Sequence, residues 1–483
     1  MTLWLHHARI RTCVPVILRT LLLVLLCPRW NAVGQTQTPA DPCPYRLPHY
    51  EEDWTCVHSA AHKAEFLDAI KDVRLGKGGD SNLSFGGEIR EAYERFHNPN
   101  FGLQPQDPDG YLLQRCLMHI DLHVTESVRG YVELVSALEK GRTGGPRPIV
   151  DEDKLDLHQA FLDFDLGQGR SGAAVVRIGR QEIALGSGRL VALREGTNVP
   201  FSLDGIRIES GIASWHLDVF GTKPVQNRVG IFDDRPQPGT WFWGVYSSRP
   251  WHGGGHTAKF DLYYLGLDRN PAAFNKATAH ETRHTIGARA WKLNGAWNYD
   301  TEGMFQVGSF GHGNIRAWRV ATDISYGLGS SRWQRRMALA MDVASGDRSP
   351  ASANLGTFNA LFQSGLYSGR AQILGPDNTI RIEPSFKASP YRGVLLSAGW
   401  GFYWRESIHD GLYGIANNLI VPADGTRARY EGSRPIAQMD WQVNRHLSVH
   451  INYIYVFNGP FGEQAIRGTP SMSYVSPWLT YEF

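Results

Sequence analysis

In the segment 115–124, Cys116, Met118, Ile120, Leu122 and Val124 fall on one parity, and Arg115, His119, Asp121 and His123 on the other. Successive side chains of a β-strand point to opposite faces, so this segment has one apolar wall and one charged wall. The same period of two returns along the chain from Leu83 to Phe483. Phe260, Leu262 and Tyr264 oppose Asp261 and Tyr263, Trp318 and Val320 oppose Arg319, and Met337, Leu339, Met341 and Val343 oppose Arg336 and Asp342. About eighteen such segments can be drawn: 82–96, 111–124, 128–139, 156–166, 173–182, 204–210, 213–220, 239–248, 256–265, 281–293, 295–307, 314–326, 333–343, 379–388, 393–406, 434–443, 447–457 and 472–483. A helix cannot carry this period. Beyond the N-terminus no uninterrupted apolar run approaches the roughly 20 residues a transmembrane helix needs. If the chain crosses a membrane, it does so as a closed barrel, because only closure satisfies every backbone polar group in lipid.

The gaps between segments sort by length. With the N-terminus in the periplasm, the odd gaps are long (97–110, 140–155, 183–203, 221–238, 266–280, 344–378, 407–433 and 458–471), with only 308–313 short, whereas even gaps such as 125–127 and 444–446 are tight. Long outer loops and short periplasmic turns are the habit of outer-membrane barrels, and a soluble sandwich has no reason to sort its loops this way. The chain ends Trp478-Leu479-Thr480-Tyr481-Glu482-Phe483, an alternating strand finishing on an aromatic, which resembles the terminal assembly signal of such barrels.

Residues 1–34 read as a signal peptide. His6, Arg9, Arg11 and Arg19 make a basic start, Val16 to Cys27 a short apolar core, and Ala32-Val33-Gly34 a small-residue cleavage region. Bulky Leu25-Leu26 before Cys27 and Pro28 after it argue against lipidation there. Residues 35–81 form a periplasmic lead-in, with a short helix expected over 58–75 from the placement of Ala64, Leu67, Ala69 and Ile70, and the barrel occupies 82–483. Cys43 and Cys56 flank a Pro-rich stretch; they can pair in an oxidising compartment or remain two thiols. Cys116 lies on an apolar face as inert packing.

A formal net charge of +2 gives no case for nucleic acid as a partner. His280-Glu281-Thr282-Arg283-His284 matches a zinc-protease signature, but that chemistry needs a helix. On a strand the two histidines stand about 13 Å apart, too far to share one zinc. The acid pairs Asp151/Asp153 and Asp233/Asp234 lie in expected loops without the spacing of a calcium loop. With no nucleophile elbow, phosphate-binding glycine loop or zinc cysteine pattern, no catalytic residue, metal or cofactor is expected, and the chain is read as a non-enzyme.

Five stretches resemble the alginate-export family of outer-membrane barrels: Leu83-Ser84-Phe85-Gly86-Gly87-Glu88-Ile89-Arg90, Arg177-Ile178-Gly179-Arg180-Gln181-Glu182, Ser202-Leu203-Asp204-Gly205, Glu281-Thr282-Arg283-His284-Thr285-Ile286-Gly287 and Leu355-Gly356-Thr357-Phe358-Asn359. Their order along the chain makes the resemblance specific, and it spans Leu83 to Phe483. It implies an eighteen-stranded barrel exporting a polyuronate through an arginine-lined constriction.

A pore for uronates needs several modest cationic sites rather than one deep well. Parity puts Arg90, Arg177, Arg207, Arg289 and Arg319 on the polar wall, while Arg180, Arg189 and Arg194 lie at or after a strand end, in or beside a 183–203 loop that can fold inward as a constriction. Glu88, Glu133, Asp163, Asp204 and Glu209 are their expected acidic partners. For each arginine the plain alternative is an Arg–carboxylate ladder that holds the barrel's shape. Trp241, Trp243, Trp297, Trp318, Trp400, Trp404 and Trp478 are either sugar-stacking platforms or interfacial girdle residues.

The expected molecule is thus an all-β, closed antiparallel transmembrane barrel of about eighteen strands in the outer membrane. It would passively export an anionic, alginate-like polysaccharide or oligosaccharide, with lipid, lipopolysaccharide and a periplasmic export scaffold as neighbours. A porin for small anionic sugars or organic acids is the alternative within transport. A secreted β-rich sugar-binding protein or lyase is the alternative outside it, separable by whether the protein stays soluble without detergent.

Overall fold

In a computed structural model, the described residues are 43–483 apart from 60–61, 77–80, 170–171, 254–255, 294, 330–332, 366–368, 424, 467 and 469. The signal-peptide expectation for 1–34 and the lead-in up to residue 42 lie outside the described residues.

Eighteen long strands form one antiparallel sheet: β1 Ser81–His97, β2 Tyr111–Thr125, β3 Val128–Lys140, β4 Asp153–Gly169, β5 Gly172–Gln181, β6 Leu203–Ile212, β7 Trp215–Gln226, β8 Thr240–Gly253, β9 His256–Ala273, β10 Thr278–Lys292, β11 Trp297–Phe310, β12 Gly313–Gly327, β13 Arg336–Ala344, β14 Thr379–Ala388, β15 Val394–Arg405, β16 Tyr430–Gln442, β17 Leu447–Asn458 and β18 Met472–Glu482. Each pairs with its neighbours in sequence, and β1 pairs with both β2 and β18, which closes the cylinder. Phe483 extends the seam: its N–H and C=O exchange hydrogen bonds with Gly87 at 3.0 and 2.8 Å. Among the described residues no long strand of this sheet is left with an open edge, as a spanning structure in lipid requires.

The alternation resolves into two environments. On β1, Ile89 is 41 % exposed while Glu88 and Arg90 on either side are 2 % and 3 % exposed. Outward positions carry Met118, Ile120, Ile178, Ile206, Leu262, Ile286 and Val320, all exposed, and inward positions carry the charges. This inversion of a soluble protein's surface belongs to a barrel whose outer face meets hydrocarbon. Outward Trp251, Trp297 and Tyr326 cluster at one rim and Trp241 and Phe457 at the other, the placement of interfacial girdles.

Connections 126–127, 213–214 and 443–446 make a tight-turn rim, the periplasmic one, and 182–202, 345–378 and 406–429 rise from the opposite rim. The expected long loop at 266–280 is largely strand, since β9 runs to Ala273 and β10 begins at Thr278. There the inward residues Leu265, Leu267 and Ala272 join a dry interior cluster while Asp268 lies on the opposite parity, so the apolar-out, polar-in alternation breaks down.

The expected helix over 58–75 does not form. Its place holds two short 3-10 turns, Thr55–His58 and Phe66–Ile70, and a strand Val73–Leu75 that pairs with the start of β1. Glu65 and Asp68 cap the second turn reciprocally, and Asp72 ends the path with a left-handed φ of 45°. Of the expected apolar side, Ala64 and Ala69 are exposed and Leu67 and Ile70 only half-buried, too little burial to stabilise a longer helix.

Candidate functional site

The barrel interior is filled from both ends. From the long-loop rim, the segments 182–202, 345–378 and 406–429 turn inward and bind one another. Ala192 N–H donates to Phe362 O at 3.0 Å, Phe362 N–H to Leu190 O at 2.8 Å, and Ser364 N–H to Gly188 O at 2.9 Å. The Asn417 amide donates to Asn359 Oδ1 at 2.8 Å. Val191, Phe358 and Ala360 are fully buried against wall residues Phe242, Met304 and Ala317. Arg189, at the tip of the first loop, reaches three carboxylates of the far wall: Asp300 at 2.8 Å, Glu302 at 3.0 Å and Asp323 at 2.5 Å. Ionic anchoring of this kind fixes the loop across the lumen rather than above it.

From the tight-turn rim a strap enters, residues 43–58, closed by a Cys43–Cys56 disulfide with 5.6 Å between Cα atoms. Tyr50 packs edge-on against the stacked rings of Tyr131 and Phe161, and its hydroxyl donates to Glu182 O at 3.3 Å and accepts from Arg207 at 3.3 Å. The Arg177 guanidinium stacks on the Tyr50 and Phe161 rings at 4.1 and 3.9 Å. Lys71 lies over Trp54 at 4.0 Å and donates to the Phe483 carbonyl at 3.1 Å, which ties the lead-in to the barrel seam. Burial lowers the Lys71 ammonium to about 8.

The arginines singled out by parity divide into two groups. Arg177 is held bidentately by Asp163 at 2.7 and 2.8 Å, Arg180 by Asp204 at 2.8 Å, and Arg207 by Asp218 at 2.6 Å and Glu209 at 3.0 Å. Arg289 bridges Asp261 at 3.0 Å and Asp300 at 2.5 Å, and Arg319 binds Asp342 at 2.7 Å. Arg90 instead spends its donors on the backbone carbonyls of Glu195 and Thr197, at 2.8 and 2.5 Å. It also stacks on Trp478 at 4.4 Å, with Arg370 on the same indole at 4.2 Å, so this tryptophan faces inward. Arg194 lies over the Phe201 ring at 4.3 Å and makes no ion pair among the described residues; burial lowers it to about 10, and it stays cationic at neutral pH.

Glu88 pairs with Arg115 at 2.7 Å rather than with Arg90, and Glu133 with His49 at 2.9 Å. Burial alone would raise the Glu195 carboxyl in the first loop, but Arg115 and Arg90 outweigh it and hold the group at about 2.

Sequence reasoning passed over the strap, and also a vestibule elsewhere in the lumen. A cavity of about 380 Å³ opens along β11 to β16 below the loops, lined by Asp300, Asp323, Arg336, Arg381, Glu383 and Lys387 among others. Asp300 and Asp323 are already engaged by Arg189, and Glu383 accepts from Tyr403 at 3.1 Å with Arg381 at 4.0 Å. Arg336 donates only to neutral oxygens of Gly295, Ala296 and Ser325, and Lys387 makes no ion pair among the described residues. Arg336 and Lys387 are thus cations on this wall that make no ion pair among the described residues, while Asp300 and Asp323 share Arg189 with Glu302. Both residues sit at inward parity at the periplasmic ends of β13 and β14, which was the signal available in the sequence.

The chain matches the family model described as alginate export over residues 81–472. Among solved structures it is similar to Pseudomonas aeruginosa OpdK with vanillate, at 11 % identity and a TM-score of 0.54 over 84 % of this chain and 98 % of that one. It is also similar to Pseudomonas aeruginosa OccK8 (OprE), at 10 % identity and 0.56 over 83 % and 98 %, and to Pseudomonas aeruginosa OccK2 in complex with glucuronate, at 11 % and 0.51 over 84 % and 98 %. At such identities the likeness concerns the fold. No curated protein matches the chain.

Proposed function

The chain belongs to the alginate-export family and is an outer-membrane channel, and from that premise we propose that it passes an anionic, uronate-type polysaccharide or oligosaccharide outward, passively and with anion selectivity. The observation that carries this reading is the vestibule wall where Arg336 and Lys387 line a cavity of about 380 Å³ and make no ion pair among the described residues. Cations that bind carboxylates briefly, in series, favour entry without trapping. Arg90 and Arg194, which likewise make no ion pair among the described residues, are the next contacts in this scheme, at the inner loop. The paired arginines Arg177, Arg180, Arg189, Arg207, Arg289 and Arg319 shape the lumen and contribute field rather than free donors. Transport needs no bond-making step, so the reading includes no catalysis. A periplasmic scaffold that delivers polymer to the tight-turn rim completes it.

A second reading, a porin for small sugar acids, is favoured by the inward loops, which leave a vestibule rather than an open bore, and by the glucuronate bound to the similar OccK2. Planar bilayers decide between them. Under a salt gradient the reversal potential is expected to favour anions. A polyuronate added on the periplasmic side is expected to block the current at concentrations where its monomer does not. Cation selectivity overturns both readings, and equal block by monomer and polymer selects the second.

A further inference from the structure

His49, His119 and Glu133 come from three separate stretches of chain and converge on one buried point. His49 lies on the disulfide-closed strap. His119 on β2 and Glu133 on β3 are direct register partners, so their side chains stand on the same inward face. The Glu133 Oε2 atom is 2.9 Å from His49 Nδ1 and 3.7 Å from His119 Nδ1, and all three residues are at most 4 % exposed. Among the described residues His119 Nδ1 has no hydrogen-bond partner, although it is buried and aimed at this carboxylate. Zinc bonds of about 2.1 Å to nitrogen and oxygen in a tetrahedron put neighbouring ligand atoms about 3.4 Å apart. The two measured separations bracket that value.

We propose that His49, His119 and Glu133 form a site for a divalent transition-metal ion of the zinc class, joining the strap to the barrel wall. Two imidazoles and one carboxylate suit zinc and its neighbours and do not suit calcium or magnesium, which take oxygen ligands. The surroundings hold the ligands in place: Gln159 Nε2 donates to Glu133 Oε1 at 3.0 Å and the Tyr131 hydroxyl donates to Oε2 at 3.1 Å. Gly86 makes room, since a Cβ there would lie 2.6 Å from His119 Nε2. Binding displaces the proton that His49 and Glu133 share, so the ion replaces a proton as the bridge between strap and wall. Three protein ligands leave a fourth position for water.

The test uses the full chain in detergent, stripped with a chelator and equilibrated with Zn²⁺ or Co²⁺ alone. The wild type is expected to retain one Zn²⁺ per chain and to give the intense visible absorption of four-coordinate Co²⁺. His119→Asn, in the wall, and His49→Gln, in the strap, are each expected to weaken Zn²⁺ binding about 100-fold or more and to abolish the Co²⁺ band. His312→Asn, in the exposed turn between β11 and β12, is expected to change neither. Heat-modifiable gel mobility verifies that each variant remains a folded barrel, and the strap variant alters no barrel strand. Zn²⁺ retention by the wild type no greater than by both variants, or a Co²⁺ spectrum that survives both substitutions, overturns the site.

Discussion

Arg336 and Lys387 face each other in the register of β13 and β14, one residue from the periplasmic turn on each strand or closer. Their charges lie in a wet vestibule, so their effect is long-range and screened by salt. Lys387→Glu combined with Arg336→Gln is expected to lower the anion-to-cation permeability ratio several-fold at low ionic strength and less at high, read from reversal potentials. Asp377, in the inward 345–378 segment, carries a different prediction. Burial pushes its carboxyl up to about 8, with Arg319 and Arg283 opposing the shift. A carboxyl raised above its unfolded value of about 3.9 contributes stability below that value and loses it as pH rises through about 8. Exchange protection at the Thr357–Leu361 amides, corrected for intrinsic rates, is therefore expected to fall across that window, and Asp377→Asn to flatten the dependence. Parity in the sequence located Arg90, Arg207 and Arg319 on the charged wall. It could not tell Arg319, gripped by Asp342, from Arg90, bonded to loop carbonyls, because the distinction is made by a partner strand in one case and by residues 195–197 in the other.

Among elements, the strands were legible and the loops were not. Each strand carries its own period because one face meets lipid and the other water, so Tyr111–Thr125 or Thr379–Ala388 declares itself without reference to the rest. Segments 182–202 and 345–378 have no period, since their burial is decided by what they reach across the lumen. Only the inward fold of the first was anticipated, and its anchor, Arg189 against Asp300, Glu302 and Asp323, joins residues more than a hundred positions apart. Arg189→Ala leaves buried Glu302 without its arginine, Asp323 unpaired at the vestibule and Asp300 with Arg289 alone. Breaking one side of a buried ionic network costs about 3–5 kcal/mol. That loss falls on loop docking and not on the sheet. Single-channel conductance is expected to rise and grow noisy in this variant while gel mobility of the folded barrel stays unchanged.

The molecule as a whole rests on closure of β1 against β18 and on the Phe483–Gly87 pair at the end of the seam. Removing Phe483 deletes both backbone bonds and the acceptor of Lys71. The folded fraction recovered from outer membranes, measured as the fast-migrating unheated band, is expected to drop relative to wild type. The strap, which touches this seam through Trp54 and Lys71, was invisible in the sequence because Pro-rich chain looks like linker until a wall of aromatic residues receives it. The three inward loops raise one last point. They are stitched to one another through main-chain bonds, Ala192 to Phe362 and Phe362 to Leu190, as well as to the wall. Such a knot does not yield one side chain at a time; it comes undone as a unit or stays tied. Current traces through a single molecule should accordingly step between a few well-separated levels, with dwell times in each, instead of drifting smoothly.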